Sequence, residues 1–239
     1  MTINIVNDPT ELAQQAAEWI TERIEQTLAT RPRFTIALSG GSTPKALHLL
    51  LAQPPLRDRI DWPRVHVFWG DERYVPLTDE RNNARMAYDT LLDKVNVPAD
   101  NIHVMRTDRQ PDASMEEYAQ ILHRYFDGHE QTFDLVLLGM GDDGHTLSLF
   151  PGTEVVSEDV AWTKAFFLQQ QDMFRLTLTA PVVNQAAAVL FLVAGDNKAD
   201  ALYGVLKGDY QPYKYPSQRI KPITGELIWF IDEAAAKRL

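Results

Sequence analysis

A short loop near the middle of the chain carries the residue types best suited to chemistry. The stretch FDLVLLGMGDDGHT runs an apolar segment into three glycines, two aspartates and a histidine. The spacing Gly139-x-Gly141-x-x-Gly144 matches the fingerprint that places a dinucleotide pyrophosphate against backbone amides. Asp142 and Asp143 would put two negative charges beside that pyrophosphate and repel it. The match is therefore interpreted as accidental.

Three other interpretations of this loop remain. A metal site is the weakest, because no HxH or HExxH spacing supplies a recognisable set of ligands. General-base chemistry is stronger, since a histidine can exchange a proton near neutral pH, and Asp143 could bias the orientation or protonation of His145. An ordinary loop, in which aspartates accept backbone N–H bonds and His145 starts a helix, fits equally well. The residues alone leave the last two interpretations open.

A second polar loop, WGDERYVP, follows another apolar run. Arg73 could steady a substrate oxygen or an oxyanion through fixed donors. Asp71 could orient Arg73 or bind a sugar hydroxyl. A surface loop held by a salt bridge explains the same residues equally well.

The loop SGGSTPK is suited to binding an anion. Gly41 permits close backbone approach, Thr43 is placed to cap the following helix, and Pro44 suits its first position. Free amides near Ser42 and Thr43 would then face an incoming anion. The GxxxxGK[ST] spacing of a P-loop is absent, and an ordinary glycine turn before a capped helix is the alternative.

Two basic residues strengthen the anion interpretation. Lys198, in GDNKADAL, is expected in the first turn of a helix, where the macrodipole disfavours a positive charge unless an anion lies nearby. Arg175 shares one face of the strand FRLTLT with Thr177 and Thr179. Each basic residue alone is usually a solvated surface charge. Together with the glycine loop, they could form a clamp for a phosphate monoester.

Strands and helices that must position these loops alternate along the chain. Near-continuous apolar runs in RFTIALSGG, RVHVFWGDE and FDLVLLGMG predict strands, and helical spacing follows them. This alternation predicts an α/β fold of three layers, with a mainly parallel Rossmann-like sheet between helices. Ligands of such sheets bind beyond the carboxyl ends of the strands, so the three loops are expected to converge. Residues 1–239 are predicted to form a single domain.

Several local expectations can be tested against a structure. Asp8 is predicted to cap a long N-terminal helix, with Pro9 at its first position and Glu11 completing a capping box. A helix is expected over residues 82–92, and a short strand is expected in NIHVMR, residues 101–106. The stretch GDYQPYKYPSQRIKPITG is rich in proline, glycine and tyrosine and is predicted to be a loop.

Composition limits the possible partners. The 239 residues carry a net charge of −10 at pH 7, which opposes non-specific binding to nucleic acid or to an anionic membrane. Any anionic ligand must therefore be held by a local cluster of donors. The absence of cysteine excludes disulfides, thiolate nucleophiles and zinc–thiolate sites. The N-terminus lacks the pattern of a secretory signal and no apolar run is long enough to span a membrane, so a cytoplasmic protein is expected.

Five motifs in this order resemble those of the 6-phosphogluconolactonase family. They are LSGGSTPKAL, FWGDERYVP, DLVLLGMGDDGHTLSLFPGT, RLTLTAPVVNQA and GDNKADAL, and the resemblance extends from about residue 34 to ELIWFIDEAA. It implies the fold of glucosamine-6-phosphate deaminase and ribose-5-phosphate isomerase. It also implies hydrolysis of 6-phospho-D-glucono-1,5-lactone to 6-phospho-D-gluconate in the oxidative pentose phosphate pathway, with no metal or organic cofactor.

The same resemblance implies a role for each site residue. His145 would activate water for attack on the lactone carbonyl, and Arg73 would contact the substrate or the developing oxyanion. Asp71 and Asp143 would support them. The residues implied to bind the 6-phosphate are Gly41, Ser42, Thr43, Arg175 and Lys198. The chain is expected to act as a monomer on this small sugar-phosphate lactone, without nucleic-acid or membrane partners.

Two other functions stay open. A sugar-phosphate deaminase or isomerase of the same fold would use a similar clamp, although GDER and GHTLSLFP lie where a deaminase would look more like MDEY and GHIAFNEP. A catalytically silent regulator that binds sugar phosphates would keep the clamp and lose the base, and His145 in an intact loop argues against it. The chain departs from the family pattern at Asp142, where proline is frequent, and at YPSQRIKP, where a segment closer to LPAQ is expected.

Overall fold

Nine strands and eight helices make up the regular structure of the computed structural model, which describes residues 1–239. The strands are β1 (Thr2–Val6), β2 (Phe34–Leu38), β3 (Val65–Trp69), β4 (Asp71–Arg73), β5 (Leu135–Gly139), β6 (Thr163–Leu168), β7 (Met173–Leu178), β8 (Ala188–Val193) and β9 (Glu226–Asp232). The helices are α1 (Pro9–Leu28), α2 (Ser42–Leu51), α3 (Leu56–Arg59), α4 (Asn83–Thr90), α5 (Pro111–Phe126), α6 (Ala180–Val183), α7 (Ala199–Leu206) and α8 (Glu233–Ala236). None of these helices is both long and apolar enough to cross a bilayer.

Six of the strands form one parallel sheet in the order β1-β9-β8-β5-β2-β3. The order in which the chain adds strands reverses between β2 and β5. From β2 the chain continues to β3 at one edge of the sheet, and from β5 it continues to β8 and β9 on the other side. A reversal of this kind opens a crevice at the carboxyl ends of the two central strands. The predicted binding loops follow these strands.

Side chains of the sheet point alternately into two hydrophobic cores. Leu135 and Leu137 of β5 pack with residues of α1, α2 and α4, whereas Val136 and Leu138 pack with residues of α5, α7 and β7. A strand buried on both faces needs apolar residues at every position, which explains the continuous apolar runs in the sequence. The predicted three-layer α/β fold with a mainly parallel sheet is confirmed.

A small antiparallel sheet was not predicted. Strands β4, β7 and β6 pair in that order on the α5 side of the main sheet. The residues Asp71 to Arg73, which were predicted to be loop, therefore form a three-residue strand that pairs with β7. Three residues are too few to show a strand period in the sequence.

Two other local predictions need correction. NIHVMR forms no strand, because Asn101 ends a 3-10 turn and only Ile102 bridges to Val67 of β3. The expected helix over residues 82–92 is shorter, since α4 ends at Thr90 and a separate 3-10 turn follows.

The predicted start of α1 is confirmed in part. Asp8 accepts hydrogen bonds from the backbone N–H groups of Thr10 and Glu11, at 2.7 and 2.9 Å, and Pro9 is the first helical residue. The carboxylate of Glu11 reaches back to the N–H of Asn7, one residue beyond the cap, rather than to that of Asp8. The capping box therefore closes one residue earlier in the chain than predicted.

Candidate active site

A cavity of about 240 Å³ lies at the carboxyl ends of the central strands, where the order of the sheet reverses. It collects residues of β4, β5, β7 and α4 and of the segments that follow β2, β5 and β8. The lining residues are Ser39, Gly40, Gly41, Asp71, Arg73, Asn83, Gly139, Met140, Gly141, His145, Leu147, Arg175 and Lys198. Three cations and one carboxylate are among them, so the cavity is locally positive in a chain whose net charge is −10.

The histidine loop, residues 140–146, contains a close pair of side chains. Nδ1 of His145 lies 2.6 Å from Oδ1 of Asp143, and the backbone N–H of His145 donates to the same oxygen at 3.0 Å. A carboxylate accepts hydrogen bonds, so this contact requires the ring proton on Nδ1 and leaves a lone pair on Nε2. His145 lines the cavity with its side chain 28% exposed, whereas Asp143 does not line it and is 43% exposed.

The glycines of this loop serve the histidine rather than a dinucleotide. A methyl group on Gly141 would overlap the His145 ring and lie 2.5 Å from Oδ1 of Asp143. Gly144 has a φ of +80°, a conformation that residues with a Cβ rarely adopt. The N–H of Gly141 donates to the carbonyl oxygen of His145 at 2.8 Å and closes the loop. The G-x-G-x-x-G letters therefore reflect the tight folding of the loop around His145 and Asp143.

An aromatic ring packs against the face of the His145 imidazole. The rings of His145 and Phe150 stack with their centroids 4.2 Å apart, and the Arg175 guanidinium lies 5.4 Å from the centroid of the same phenyl ring. Burial would raise the pKa of Asp143, but hydrogen bonds from the His145 side chain and backbone outweigh it and lower that pKa. Asp143 is therefore ionised at neutral pH beside His145.

Asp71 and Arg175 form a buried ion pair beneath the cavity. Nη2 of Arg175 donates to Oδ2 of Asp71 at 2.8 Å, and their side chains are 4% and 7% exposed. Ser148 joins them, because its hydroxyl donates to the same Asp71 oxygen at 2.6 Å and accepts from Nε of Arg175 at 3.0 Å. Nη1 of Arg175 donates to Gln171 at 3.0 Å. All three guanidinium nitrogens of Arg175 therefore have partners within the chain.

The charge of Asp71 is kept by its cationic neighbours. Burial would raise the pKa of Asp71, but the charges of Arg175 and Arg73 and the hydrogen bonds from Ser148 and Arg175 outweigh it and lower that pKa. Ser148 was not assigned a role from the sequence, although it lies in the quoted motif GHTLSLFP. Hydroxyl side chains are too common in the sequence to single out Ser148. Asp71 meets it because β4 pairs with β7.

Arg73 reaches the cavity with part of its hydrogen-bonding capacity unused. Nη1 of Arg73 donates to the carbonyl oxygen of Arg81 at 2.9 Å, and its Nε is buried without a partner. A buried N–H without a partner costs free energy. Arg73 also lines the cavity and forms no ion pair within the chain, so its positive charge is available to a ligand there.

Glu72 anchors the helix that follows this strand. Its carboxylate accepts hydrogen bonds from the N–H groups of Arg73, Asn83 and Ala84, at 2.8, 2.7 and 2.8 Å. Asn83, which lines the cavity, also donates to the carbonyl oxygen of Asp71 at 2.9 Å. Burial raises the pKa of Glu72 to about 7, with a contribution from the Asp71 charge, although the three N–H donors oppose that rise. Successive side chains of a strand point to opposite faces, so Glu72 points away from Asp71 and Arg73. This alternation is the one feature of the sequence that indicates the role of Glu72.

Replacing Glu72 by glutamine should remove a pH dependence of stability. The folded state holds a proton on Glu72 up to about pH 7, whereas the unfolded chain loses it near the ordinary value of 4.5. The contribution of Glu72 to the free energy of unfolding therefore falls as the pH rises through this interval and is constant above it. Urea unfolding of wild type and Glu72→Gln between about pH 5 and about pH 8 measures the difference.

Glu158→Gln is a matched control, because Glu158 also accepts two backbone N–H bonds but its pKa is lowered to about 2. Its difference from wild type should not vary over the same pH range. A pH-independent difference for Glu72→Gln as well would contradict the prediction.

The predicted anion loop forms the start of α2, with two corrections. Gly41 is the N-cap, with a φ of +106°, and Ser42 is the first helical residue. Thr43 does not cap the helix, and Pro44 is the third helical residue rather than the first. The reason is that Gly41, free of a Cβ, takes the non-helical conformation that the cap requires. No side chain caps the first turn, so the N–H groups of Ser42 and Thr43 have no partner in the chain.

Lys198 also lines the cavity, as the N-cap residue of α7. Its ammonium group has no ion-pair partner, unlike Lys164 and Lys237 on the surface. The structure thus brings six of the nine predicted site residues to the cavity wall: Gly41, Asp71, Arg73, His145, Arg175 and Lys198. Asp143, Ser42 and Thr43 are outside that wall; Asp143 bonds to His145, Ser42 adjoins Gly41, and Thr43 follows Ser42 in the first turn of α2. No group of three or more histidine, aspartate or glutamate side chains is arranged to hold a metal ion.

Comparison with known proteins gives consistent results. The sequence model of the glucosamine-6-phosphate isomerase and 6-phosphogluconolactonase family matches residues 7–229. A 6-phosphogluconolactonase of Synechocystis sp. is 42% identical over 233 residues, which are 95% of this chain and 94% of that protein. A solved 6-phosphogluconolactonase from Trypanosoma cruzi superposes with a TM-score of 0.87 at 28% identity, over 100% of this chain and 96% of the other.

A more distant structure shares the fold. A monomeric glucosamine-6-phosphate deaminase superposes with a TM-score of 0.86 at 19% identity, and the match covers 100% of both chains. At this identity the likeness concerns the fold alone. The predicted likeness to the deaminase fold is confirmed.

Proposed function

The chain belongs to the glucosamine-6-phosphate isomerase and 6-phosphogluconolactonase family, and on that premise we propose that it hydrolyses 6-phospho-D-glucono-1,5-lactone to 6-phospho-D-gluconate. The observation that carries the proposal is the pair of His145 and Asp143 at the wall of a locally positive cavity. The reaction belongs to the oxidative pentose phosphate pathway. We further propose that the active species is a monomer.

His145 acts as the general base. With its proton on Nδ1 held by Asp143, it takes a proton from water through Nε2 while the water oxygen attacks the lactone carbonyl carbon. The tetrahedral intermediate then collapses, and the bond between the carbonyl carbon and the ring oxygen breaks. The imidazolium returns its proton to the departing ring oxygen, which becomes a hydroxyl group. The new carboxylic acid releases its proton to solvent.

Charged groups around His145 stabilise this sequence of steps. The ionised carboxylate of Asp143 fixes the tautomer and stabilises the imidazolium as it forms. Arg73 supplies a donor for the negative oxygen that develops on the carbonyl carbon, since it lines the cavity and forms no ion pair within the chain. Asp71 supports the site through Arg175 and Ser148.

The phosphate group binds between the start of α2 and Lys198. The unpartnered N–H groups of Ser42 and Thr43 and the flexible backbone at Gly41 suit an anion at the helix N-terminus. Lys198 supplies the opposing positive charge from α7. The guanidinium nitrogens of Arg175 are bound to Asp71, Ser148 and Gln171. Arg175 therefore acts on the phosphate through its charge rather than through a direct hydrogen bond.

Decay of the lactone tests the proposal directly. The substrate is generated in place from glucose 6-phosphate, because it also opens spontaneously, and the rate in buffer alone is the baseline. Fast decay with the wild-type protein supports lactone hydrolysis. Decay at the baseline rate, together with binding of 6-phosphogluconate, would instead indicate a catalytically silent regulator, and deamination of glucosamine 6-phosphate would indicate a deaminase.

Removing the Lys198 ammonium should weaken substrate binding more than it slows the chemistry. A hydrogen bond to a charged group contributes roughly 1.5–3 kcal/mol, so Lys198→Ala is expected to raise KM about tenfold or more while kcat changes little. Initial rates over a range of lactone concentrations measure both constants. Lys207→Ala removes a similar but exposed lysine just after α7 and should change neither. An unchanged KM in Lys198→Ala would contradict this part of the phosphate site.

A further inference from the structure

A segment outside the cavity holds the histidine loop in place. Residues 211–219, here called the brace segment, lie in the tyrosine-rich stretch that has no role in the mechanism above. Ser217, which is buried, donates two hydrogen bonds to the carbonyl oxygen of Gly144. One comes from its backbone N–H at 3.0 Å and the other from its hydroxyl at 2.8 Å.

That carbonyl belongs to the peptide that joins Gly144 to His145. On the other edge of the same peptide, the N–H of His145 donates to Oδ1 of Asp143 at 3.0 Å. The peptide plane before His145 is therefore fixed on both edges, by Asp143 from within the loop and by Ser217 from outside. Because the orientation of this peptide plane sets the direction of the His145 side chain, Ser217 influences the position of the general base.

Tyr215 fills the space between the histidine loop and α7. A methyl group built on Gly144 would lie 2.9 Å from Cδ1 of Tyr215, and one built on Gly204 of α7 would lie 2.8 Å from the Tyr215 hydroxyl oxygen. Cβ atoms do not approach other atoms so closely, so both positions need glycine while the ring lies between them. Because Lys198 caps α7, the ring separates the loop of the base from the helix of the predicted phosphate-binding cation.

The brace segment is itself firmly anchored. Gln218 is buried and donates to the carbonyl oxygens of Gly204 and Asp209, at 3.0 and 2.9 Å, and it accepts from the N–H of Gln211 at 2.6 Å. A buried side chain with three such bonds keeps its segment in one conformation. The segment that carries Tyr215 and Ser217 is thus anchored to α7 and to the turn after it, independently of the histidine loop.

We infer that Ser217 and Tyr215 are positioning residues for the hydrolysis, Ser217 by orienting the His145 peptide and Tyr215 by setting the spacing between His145 and Lys198. This inference rests on the proposed function. Neither side chain is part of the cavity wall, so both act through the residues they contact rather than on the substrate.

Kinetics of Ser217→Ala test the role of the hydroxyl. We expect kcat to fall about ten- to a hundredfold, because a small displacement of a catalytic group has an effect of that size, and KM to stay within about twofold of wild type. Ser114→Ala is the matched control, since the Ser114 hydroxyl is also buried, lies on α5 and has no hydrogen-bond partner. A kcat for Ser217→Ala within about twofold of the control overturns the role of Ser217.

A second variant tests Tyr215 without weakening a helix. Alanine is a better helix former than glycine, so Gly204→Ala should fold, but its methyl group displaces the Tyr215 ring. We expect kcat to fall and KM to rise about tenfold each, because the spacing between His145 and Lys198 changes. Tyr203→Ala changes an exposed tyrosine on the same helix and should leave both constants unchanged. Unchanged constants in Gly204→Ala overturn the role of Tyr215.

One measurement needs no substrate and separates this inference from the proposed function. Exchange of the His145 amide hydrogen should be at least about tenfold faster in Ser217→Ala than in wild type, because one of the two hydrogen bonds that hold the carbonyl edge of the peptide is lost. Equal exchange rates would overturn the brace even in an active enzyme. A wild-type protein that leaves the lactone decay at baseline rejects the proposed function instead, whatever the exchange rates are.

Discussion

Replacing His145 by alanine is expected to lower kcat for lactone hydrolysis by about two to four powers of ten, which is the usual contribution of a positioned general base. No other side chain of the cavity wall is free to take the proton, since Asp71 is bound to Arg175 and Ser148. KM should change little, because the imidazole acts on water. Lactone decay above the buffer rate measures the loss, and circular dichroism verifies the fold.

His123 provides a matched control for this variant. Its Nδ1 lies 2.8 Å from Oδ1 of Asp127, and its ring stacks on Trp162 with the centroids 4.3 Å apart. The same histidine, aspartate and aromatic arrangement therefore occurs at the exposed end of α5, and none of its residues lines the cavity. His123→Ala should keep wild-type kcat. Comparable losses in both variants, or a kcat of His145→Ala within tenfold of wild type, would contradict His145 as the base.

The location of the cavity could be predicted from sequence because a parallel sheet brings distant loops together. Apolar runs marked β2, β3 and β5, and the polar residues after each run could be placed at one edge before any side-chain position was known. Gly41, Arg73 and His145 lie in that cavity for this reason. The hydropathy pattern of the sequence is sufficient to locate whole strands. The loops that follow these strands converge because the strands are parallel.

Contacts between side chains could not be predicted in the same way. Asp71 and Arg175 are 104 positions apart, and they meet because a three-residue strand pairs with β7. Tyr215 lies in a stretch without periodicity, so its position between two glycines depends on tertiary packing alone. The helix cap at Gly41 was assigned to Thr43 because both residue types favour caps, and only the backbone conformation separates them.

The second large effect is expected at Arg175, on stability. Arg175→Met keeps most of the side-chain volume beside Phe150 but removes the cation and the donors to Asp71 and Ser148. Breaking a buried ion pair on one side leaves an uncompensated charge and costs about 3–5 kcal/mol of unfolding free energy. Urea unfolding near neutral pH measures this loss. Arg57→Met, which breaks an exposed pair with Asp58, should change stability little.

Two further measurements identify the uncompensated Asp71 as the cause. Adding Asp71→Asn to Arg175→Met should recover much of the loss, because the remaining buried group is neutral. The loss of unfolding free energy in Arg175→Met, relative to wild type, should also become smaller as the pH falls. In wild type the arginines hold the pKa of Asp71 below its ordinary value of 3.8, so its stabilising charge is lost only in acid. Without Arg175, burial raises that pKa, and the variant takes up a proton at a pH where wild type is still ionised. A deficit that is unchanged in acid and in the double variant would instead assign the effect to packing against Phe150.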